Sequence, residues 1–215
     1  MKLDPREARQ ILRQCDFGAL ATQSAKLPGY PFVSHAPLAL DGAGRPLLLF
    51  SRLAEHSRNL AGDPRASLMV SVPDQDVQAQ PRLTLVGDLR PAEVAPATRE
   101  RYLRYHPDAV DYLGLGDFSF YRLEVQAIRL VAGFAKAGWV APAAWACRPL
   151  AEDEEATLLE RLSTAAAAGH AILGMDWEGM DVRAATGERL RLAWPEHSAT
   201  VVDLEQAALA ALGAA

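Results

Sequence analysis

The hydrophobic pattern in the first two thirds of the chain consists mostly of short runs, which predict β-strands. The run at 46–50, for example, is too short for an independent helix and is apolar throughout, as in a buried strand. Asp41-Gly42-Ala43-Gly44 is a turn signal, so the strands on either side of it form a predicted hairpin. The strands predicted in this part are 17–22, 31–40, 46–50, 66–72, 82–91, 118–125 and 127–134.

Helical patterns are fewer in this part of the chain. At 4–15, Pro5 suits a first helical turn, and Ala8, Ile11 and Leu12 fall on one face. Further helices are predicted between Ser51 and Asp63, at 96–105 and at 109–113. Many short strands with few helices predict a small antiparallel β-barrel. A barrel of that size is filled by its own side chains, so a ligand has to bind on its rim or between two copies.

The pattern changes after Val140. The segment 142–149 is interpreted as a linker, and 151–168 as an acidic-started, alanine-rich helix that turns Ala156, Leu159 and Leu162 toward a partner. Strands are predicted at 170–176, 179–185 and 188–194, and a last helix at 200–212. This order predicts an α+β protein with two domains, a barrel over 1–147 and a small α+β unit over 151–215.

Composition excludes several classes of protein. The 215 residues carry a formal net charge of -5, so the basic footprint of a nucleic-acid-binding protein is absent. The longest apolar runs are far too short for a membrane span, and the first residues lack the apolar core of a signal peptide. We therefore expect a cytoplasmic protein with no membrane or nucleic-acid partner.

The residues that usually bind metals are sparse and scattered. Cys15 and Cys147 lie far apart, outside any CxxC or Cys/His spacing, so each is interpreted as a small buried hydrophobe. No two histidines have HExxH spacing. The sequence thus predicts no metal site.

Polar and charged residues cluster directly after the buried strand at 46–50. Ser51 is predicted to cap a helix that carries Glu55, His56 and Arg58 in its first turns, and Asp63 before a proline is predicted to end it. A strand followed by a hydroxyl-capped, cation-bearing helix start is suited to a phosphate. The alternative is an ordinary capped surface helix with solvated charges.

Five segments, taken in this order, resemble a known superfamily. They are Phe17-Gly18-Ala19-Leu20-Ala21-Thr22, Gly29-Tyr30-Pro31-Phe32-Val33-Ser34, Leu53-Ala54-Glu55-His56-Ser57-Arg58-Asn59-Leu60, Asp63-Pro64-Arg65-Ala66-Ser67-Leu68 and Gly133-Phe134-Ala135-Lys136-Ala137-Gly138-Trp139. Together they are similar to the pyridoxamine 5'-phosphate oxidase-like, FMN-binding split β-barrel superfamily, an antiparallel Greek-key barrel. The motif order most resembles its haem-utilisation (HugZ-like) branch, whose members carry a C-terminal domain of unknown function.

The resemblance implies a homodimer with two flavin sites at the subunit interface. It implies that Ser34 and His35 line the flavin from the second strand, and that the segment from Ser51 through His56, Ser57 and Arg58 holds the phosphate. Three further residues complete the implied cofactor site: Arg82 near the ring system, and Lys136 and Trp139 from the other subunit.

Three hypotheses for the function follow. The first is an FMN-dependent oxidoreductase acting on an unidentified small molecule, with no catalytic residue assigned. The second is a haem-binding or haem-degrading protein, with His170 and His197 as possible axial ligands. The segment 158–163 lacks the histidine motif of relatives, so these two histidines are the remaining candidates. The third is a non-enzymatic dimeric binding module without a cofactor, because Leu38-Ala39-Leu40 stands where a basic residue is expected.

Overall fold

The computed structural model describes residues 4–72, 76, 80–133, 136–164, 170–194 and 200–214. The helices are α1 (Pro5–Arg13), α2 (Glu55–Gly62), α3 (Pro96–Tyr105), α4 (Ala109–Gly114), α5 (Pro142–Trp145), α6 (Glu152–Ser163) and α7 (Val201–Ala214). The strands are β1 (Phe17–Gln23), β2 (Pro31–Leu40), β3 (Pro46–Ser51), β4 (Arg65–Ser71), β5 (Arg82–Pro91), β6 (Phe118–Val131), β7 (Ala137–Val140), β8 (Ala171–Asp176), β9 (Gly179–Arg183) and β10 (Arg189–Ala193).

Six antiparallel strands of the described chain close into a barrel in the order β3-β2-β1-β4-β5-β6, because β3 also pairs with β6. β7 extends the sheet beside β6. The placement of β4 next to β1, after the β1-β2-β3 meander, is the Greek-key arrangement. Along β5 buried and half-buried residues alternate, so Leu83, Leu85 and Leu89 point into the barrel core. The predicted split barrel and its α+β class are therefore confirmed.

The largest departure from the predicted strands lies in β6, which is one continuous strand and not two. Val86 pairs with Ala127 and Gly87 pairs with Val125, so one residue, Gln126, is left over as a bulge. The bulge inverts the alternation of apolar and polar residues at that point. The sequence pattern therefore predicts two strands where the structure has one.

Two helical predictions also need correction. The segment interpreted as a linker contains α5, whose Trp145 is buried in the barrel core. On α6 the buried face consists of Glu155, Leu158 and Leu162, whereas Ala156 is exposed. Two of the three predicted positions are therefore one residue off, because a pattern of apolar residues does not predict a buried acid, and Glu155 is buried in an ion pair with Arg101.

The C-terminal part forms its own three-stranded antiparallel sheet in the order β10-β9-β8. This sheet and helices α6 and α7 enclose a second hydrophobic cluster that includes Trp177, Met180 and Leu204. The predicted domain boundary at 147–151 stays a prediction. Among the described helices, none combines the length and apolar character needed to traverse a lipid bilayer.

Candidate functional site

A cavity of about 520 Å³ opens on the barrel rim, between the β2–β3 hairpin, the start of β6 and helices α3 and α4. We call it the histidine groove because His35, His56 and His106 line it. Five of the other lining residues are aromatic: Phe50, Tyr102, Tyr105, Tyr112 and Phe118. A concave, largely apolar space with a few convergent polar groups is the usual form of a small-molecule site.

His56 is the half-buried histidine in the first turn of α2. Its Nδ1 lies 3.1 Å from the Ser34 hydroxyl, and its ring packs against Phe50 with 4.0 Å between ring centroids. Burial lowers the pKa of His56, so the imidazole is held in the neutral form. Its Nε2 is buried and has no hydrogen-bond partner among the described residues. Such an orphaned polar atom is unusual in a folded protein and points to a missing partner.

His106 lies between α3 and α4, where Pro107 prevents the helix from continuing. Its Nε2 donates a hydrogen bond to the Leu38 carbonyl, with 2.7 Å between the atoms. Burial lowers the pKa of His106, an effect that the Leu38 carbonyl and Asp16 oppose. His35 is exposed and stacks beside Phe17, with 4.6 Å between ring centroids.

Ser51 does not cap α2, contrary to the sequence prediction. The helix begins at Glu55, with Ala54 at the N-cap and no side-chain cap. The Ser51 hydroxyl instead accepts a hydrogen bond from the Leu53 N–H and donates one to Asp117 at 2.5 Å. The turn at 52–54 separates strand from helix, so the hydroxyl cannot reach the first helical amides. A carboxylate therefore stands where the sequence predicted a phosphate.

The other predicted phosphate contacts lie close to Ser51 in sequence but have different surroundings. Ser57 is buried, and its hydroxyl donates to the Ser51 carbonyl at 2.7 Å. The Arg58 side chain is 61% exposed and lies 3.9 Å from Glu55. Their predicted roles in cofactor binding stay predictions.

Three predicted residues lie away from the histidine groove within one chain. Arg82 donates to the Gln80 carbonyl at 3.4 Å. Lys136 forms an ion pair with Glu7 at 2.7 Å, and Trp139 is 64% exposed on β7. The resemblance assigned Lys136 and Trp139 to the site of the other subunit, and that role stays a prediction.

The sequence interpretation missed part of the groove wall. His106 and Pro107 were interpreted only as a helix break, and Tyr102, Tyr105 and Tyr112 were not singled out. Their spacing along α3 and α4 was an available signal, since aromatic residues on a polar helix pack toward something. Of the two histidines proposed as haem ligands, His170 lies before β8 and outside the groove lining, and His197 lies outside the described residues.

The comparisons with known proteins decide the family. The CREG β-barrel family model matches residues 1–146. The chain belongs to the CREG β-barrel family. This assignment agrees with the predicted split-barrel superfamily and its haem-utilisation branch.

Proteins related to this CREG β-barrel chain include haem proteins. The Arabidopsis thaliana protein named non-canonical heme oxygenase HOZ, chloroplastic, is 38% identical over 133 residues, which cover 61% of this chain and 41% of that protein. This chain therefore matches less than half the length of that relative.

Two solved structures cover nearly the whole chain. A protein of unknown function from Agrobacterium tumefaciens is 27% identical with a TM-score of 0.76, covering 95% of this chain and 93% of its own. A heme binding protein from Mycobacterium smegmatis is 27% identical with a TM-score of 0.64, covering 100% and 98%. Both likenesses extend through the C-terminal sheet.

Proposed function

We propose that this protein binds haem in the histidine groove. The observation that carries the proposal is the His56 Nε2, a buried imidazole nitrogen without a partner among the described residues, in a groove walled by aromatic rings. The names of two relatives, a heme oxygenase and a heme binding protein, support the same choice.

The chemistry of the groove suits a porphyrin. Its volume of about 520 Å³ falls in the range of small-molecule and cofactor sites. Two aromatic side chains of the lining, Tyr112 and Phe118, are at least partly exposed and can offer apolar faces to a flat macrocycle. His56 in its neutral form keeps a lone pair for a metal, and Ser34 at Nδ1 fixes the orientation of the ring. Nε2 is buried in the ligand-free chain, so His56 would hold the iron only after a small shift of its ring toward the groove.

Haem, when bound, supplies redox and oxygen chemistry at its iron. The protein's own contribution is to bind and orient the group, to surround it with apolar walls and to hold a neutral imidazole near it. Asp108 at the groove edge is the one acid in the lining described, and no proton transfer is assigned to it.

FMN, the first hypothesis from the sequence, fits the charges of this groove less well. Asp117 holds the Ser51 hydroxyl at the position predicted for the phosphate, and a carboxylate repels a phosphate group. The predicted cation Arg58 is exposed and lies 3.9 Å from Glu55. A phosphate bound at Ser51 would therefore have to overcome the repulsion of the Asp117 carboxylate.

A titration distinguishes the three hypotheses. We expect haemin to give the purified protein a Soret band that saturates at one equivalent per chain, whereas FMN added under the same conditions is not retained on gel filtration. His56→Ala should weaken haemin binding about tenfold or more and shift the band, because the iron loses its nitrogen ligand. The control His170→Ala should leave the haemin affinity and the position of the Soret band unchanged.

Each contrary outcome has a defined meaning. A Soret band altered by His170→Ala and not by His56→Ala would place the ligand in the C-terminal unit. Retention of FMN with a yellow colour would favour the flavoprotein hypothesis. A colourless protein that retains neither molecule would favour the binding module without a cofactor.

We also propose that the chain forms a homodimer through the outer face of β1, β2 and β4. Phe17, Val33 and Met69 are exposed on this face. Met69 pairs with Ala19 and Val33 with Ala21, and both partners lie on the same side of β1 as Phe17. A cluster of exposed large apolar side chains usually marks an interface.

The solution mass tests the dimer. Light scattering should give twice the mass of one chain, and Val33→Glu should give the mass of one chain because a charge is then buried in the interface. Leu27→Glu is the matched control, since Leu27 is equally exposed but lies in the β1–β2 loop. A parent protein with the mass of one chain would contradict the dimer.

A further inference from the structure

The C-terminal sheet contacts the barrel at the point where the wall of the histidine groove begins. α3 ends at Tyr105, and the next residues, His106 to Ala109, line the groove. Leu173 of β8 packs in the same hydrophobic cluster as Tyr102 and Tyr105. Strand β8 of the C-terminal sheet therefore packs against α3, the helix that leads into the groove wall.

Arg183, the last residue of β9, holds the end of α3 through the backbone. Its Nη1 donates to the Arg104 carbonyl at 3.2 Å, and its Nη2 donates to the Tyr105 carbonyl at 2.9 Å. The last carbonyls of a helix have no partner within the helix, and a cation near them is favourable because the helix dipole is negative there. Arg183 therefore supplies the C-terminal cap of α3 from a different part of the chain.

A second set of contacts fixes the side chains at the same helix end. The Tyr105 hydroxyl donates to Asp181 of β9 at 2.7 Å, and the Arg104 Nε donates to the Leu173 carbonyl at 2.7 Å. Gly174 lets β8 approach this closely, because a Cβ there would lie 2.6 Å from the Tyr105 hydroxyl oxygen. The Tyr105 ring itself lines the histidine groove.

We propose that the C-terminal sheet is a positioning element of the histidine groove, with Arg183 and Asp181 as its positioning residues. They fix Tyr105 and the backbone of the 106–109 segment, and thereby the shape of the groove that this segment lines together with His56. The consequence for ligand binding rests on the proposed haem function. The mechanical coupling, by which we mean that the C-terminal sheet holds the 106–109 segment in place, does not rest on it.

Hydrogen exchange in the ligand-free full chain tests the coupling directly. In the parent protein, the amides of Ala109 and Val110 are bonded to the carbonyls of His106 and Pro107. Arg183→Gln should raise exchange at residues 106–114 about tenfold, the size expected when one or two hydrogen bonds are lost. Exchange in β1, β2 and β4 should not change. Tyr105→Phe, which removes the hydroxyl that donates to Asp181 and leaves the ion pairs of Asp181 with Arg189 and Arg191 in place, should act on the same residues.

Arg161→Gln is the matched control. Arg161 lies on α6 of the same C-terminal part, is mostly exposed and pairs with Glu205 at 3.4 Å. Its loss should leave exchange at 106–114 unchanged. Unchanged exchange there in both Arg183→Gln and Tyr105→Phe would overturn the proposal. An equal rise in every strand would also overturn it, because it indicates general destabilisation.

Haemin titration of the same variants gives a second measurement. If the parent protein binds haemin, Arg183→Gln should bind it several-fold more weakly. If Arg183→Gln binds haemin as tightly as the parent although its amides at 106–114 exchange faster, the proposed role of the C-terminal sheet in ligand binding is overturned. If the parent does not bind haemin but exchange rises locally, the haem proposal fails and the mechanical coupling holds. The two failures are therefore distinguishable.

Discussion

Replacing Glu155 with alanine is expected to lower the free energy of unfolding by about 3–5 kcal/mol, the usual cost of removing one member of a buried ion pair. Glu155 lies on α6, is 5% exposed and pairs with Arg101 of α3, which is equally buried. Without the carboxylate, the guanidinium stays inside the protein with its charge uncompensated. The change also removes the acceptor of the Met175 N–H, 2.9 Å from the carboxylate.

The position of Arg101 explains why the effect should not stay local. Burial alone would lower the pKa of Arg101, but Glu155 and Tyr105 raise it, so the group remains charged. Its Nε also donates to the Leu40 carbonyl of β2 at 2.8 Å. One guanidinium therefore connects the barrel, α3 and α6.

Urea denaturation followed by fluorescence measures this loss. The matched control is Glu160→Ala, since Glu160 is an exposed acid on the same helix and should change stability by less than about 0.5 kcal/mol. If Glu155→Ala lowers the free energy of unfolding by less than about 1 kcal/mol, Arg101 has found another partner or has left the interior, and the prediction fails.

The barrel could be predicted from the sequence because each of its strands repeats a local pattern. In β5 the alternation of buried and half-buried residues matches the sequence alternation residue by residue. The pattern failed at the bulge of β6, where Gln126 is the extra residue. A bulge depends on the strand opposite, here on Gly87, and a pattern read along one strand carries no information about its neighbour.

The candidate site was predictable only in part. The motif around His56 lies in one continuous stretch of chain, so both its strand-to-helix pattern and the family resemblance indicate it. The wall formed by Tyr105 and His106 is placed by Arg183 and Asp181, which lie more than 70 residues further along the chain. Contacts between residues so far apart in the sequence depend on how the two sheets pack together. They produce no periodic pattern that could be recognised along the chain.

The use of arginine explains the small number of cations at the groove. Arg13 and Arg101 are buried in ion pairs that join α1 to the C-terminal sheet and α3 to α6, whereas Arg189 and Arg191 pair with Asp181 and Asp176 within that sheet. Arg13 and Arg101 thus stabilise the contact between the two parts of the chain. In the histidine groove, by contrast, the polar lining consists mainly of histidines, tyrosines and a serine, which suits a neutral imidazole and an apolar macrocycle better than a phosphate.

Gly87→Ala is expected to destabilise the barrel by about 3 kcal/mol or more, at the upper end of overpacking effects. A Cβ at this position would lie 2.1 Å from the Glu124 carbonyl oxygen and 2.9 Å from its carbonyl carbon. Both atoms belong to the backbone of β6, so no side-chain rotation relieves the clash. The strand pair can accept the methyl group only by giving up hydrogen bonds beside the bulge.

Gly62→Ala is the control for this change, because the Cβ of residue 62 would meet nothing within 4 Å and the residue lies in α2. It should stabilise the protein by about 0.5–1 kcal/mol, since alanine loses less conformational entropy in a helix than glycine. Thermal denaturation of the two variants should therefore give shifts of opposite sign. A shift of the same sign and similar size in both would contradict the close approach of β5 and β6 at Gly87.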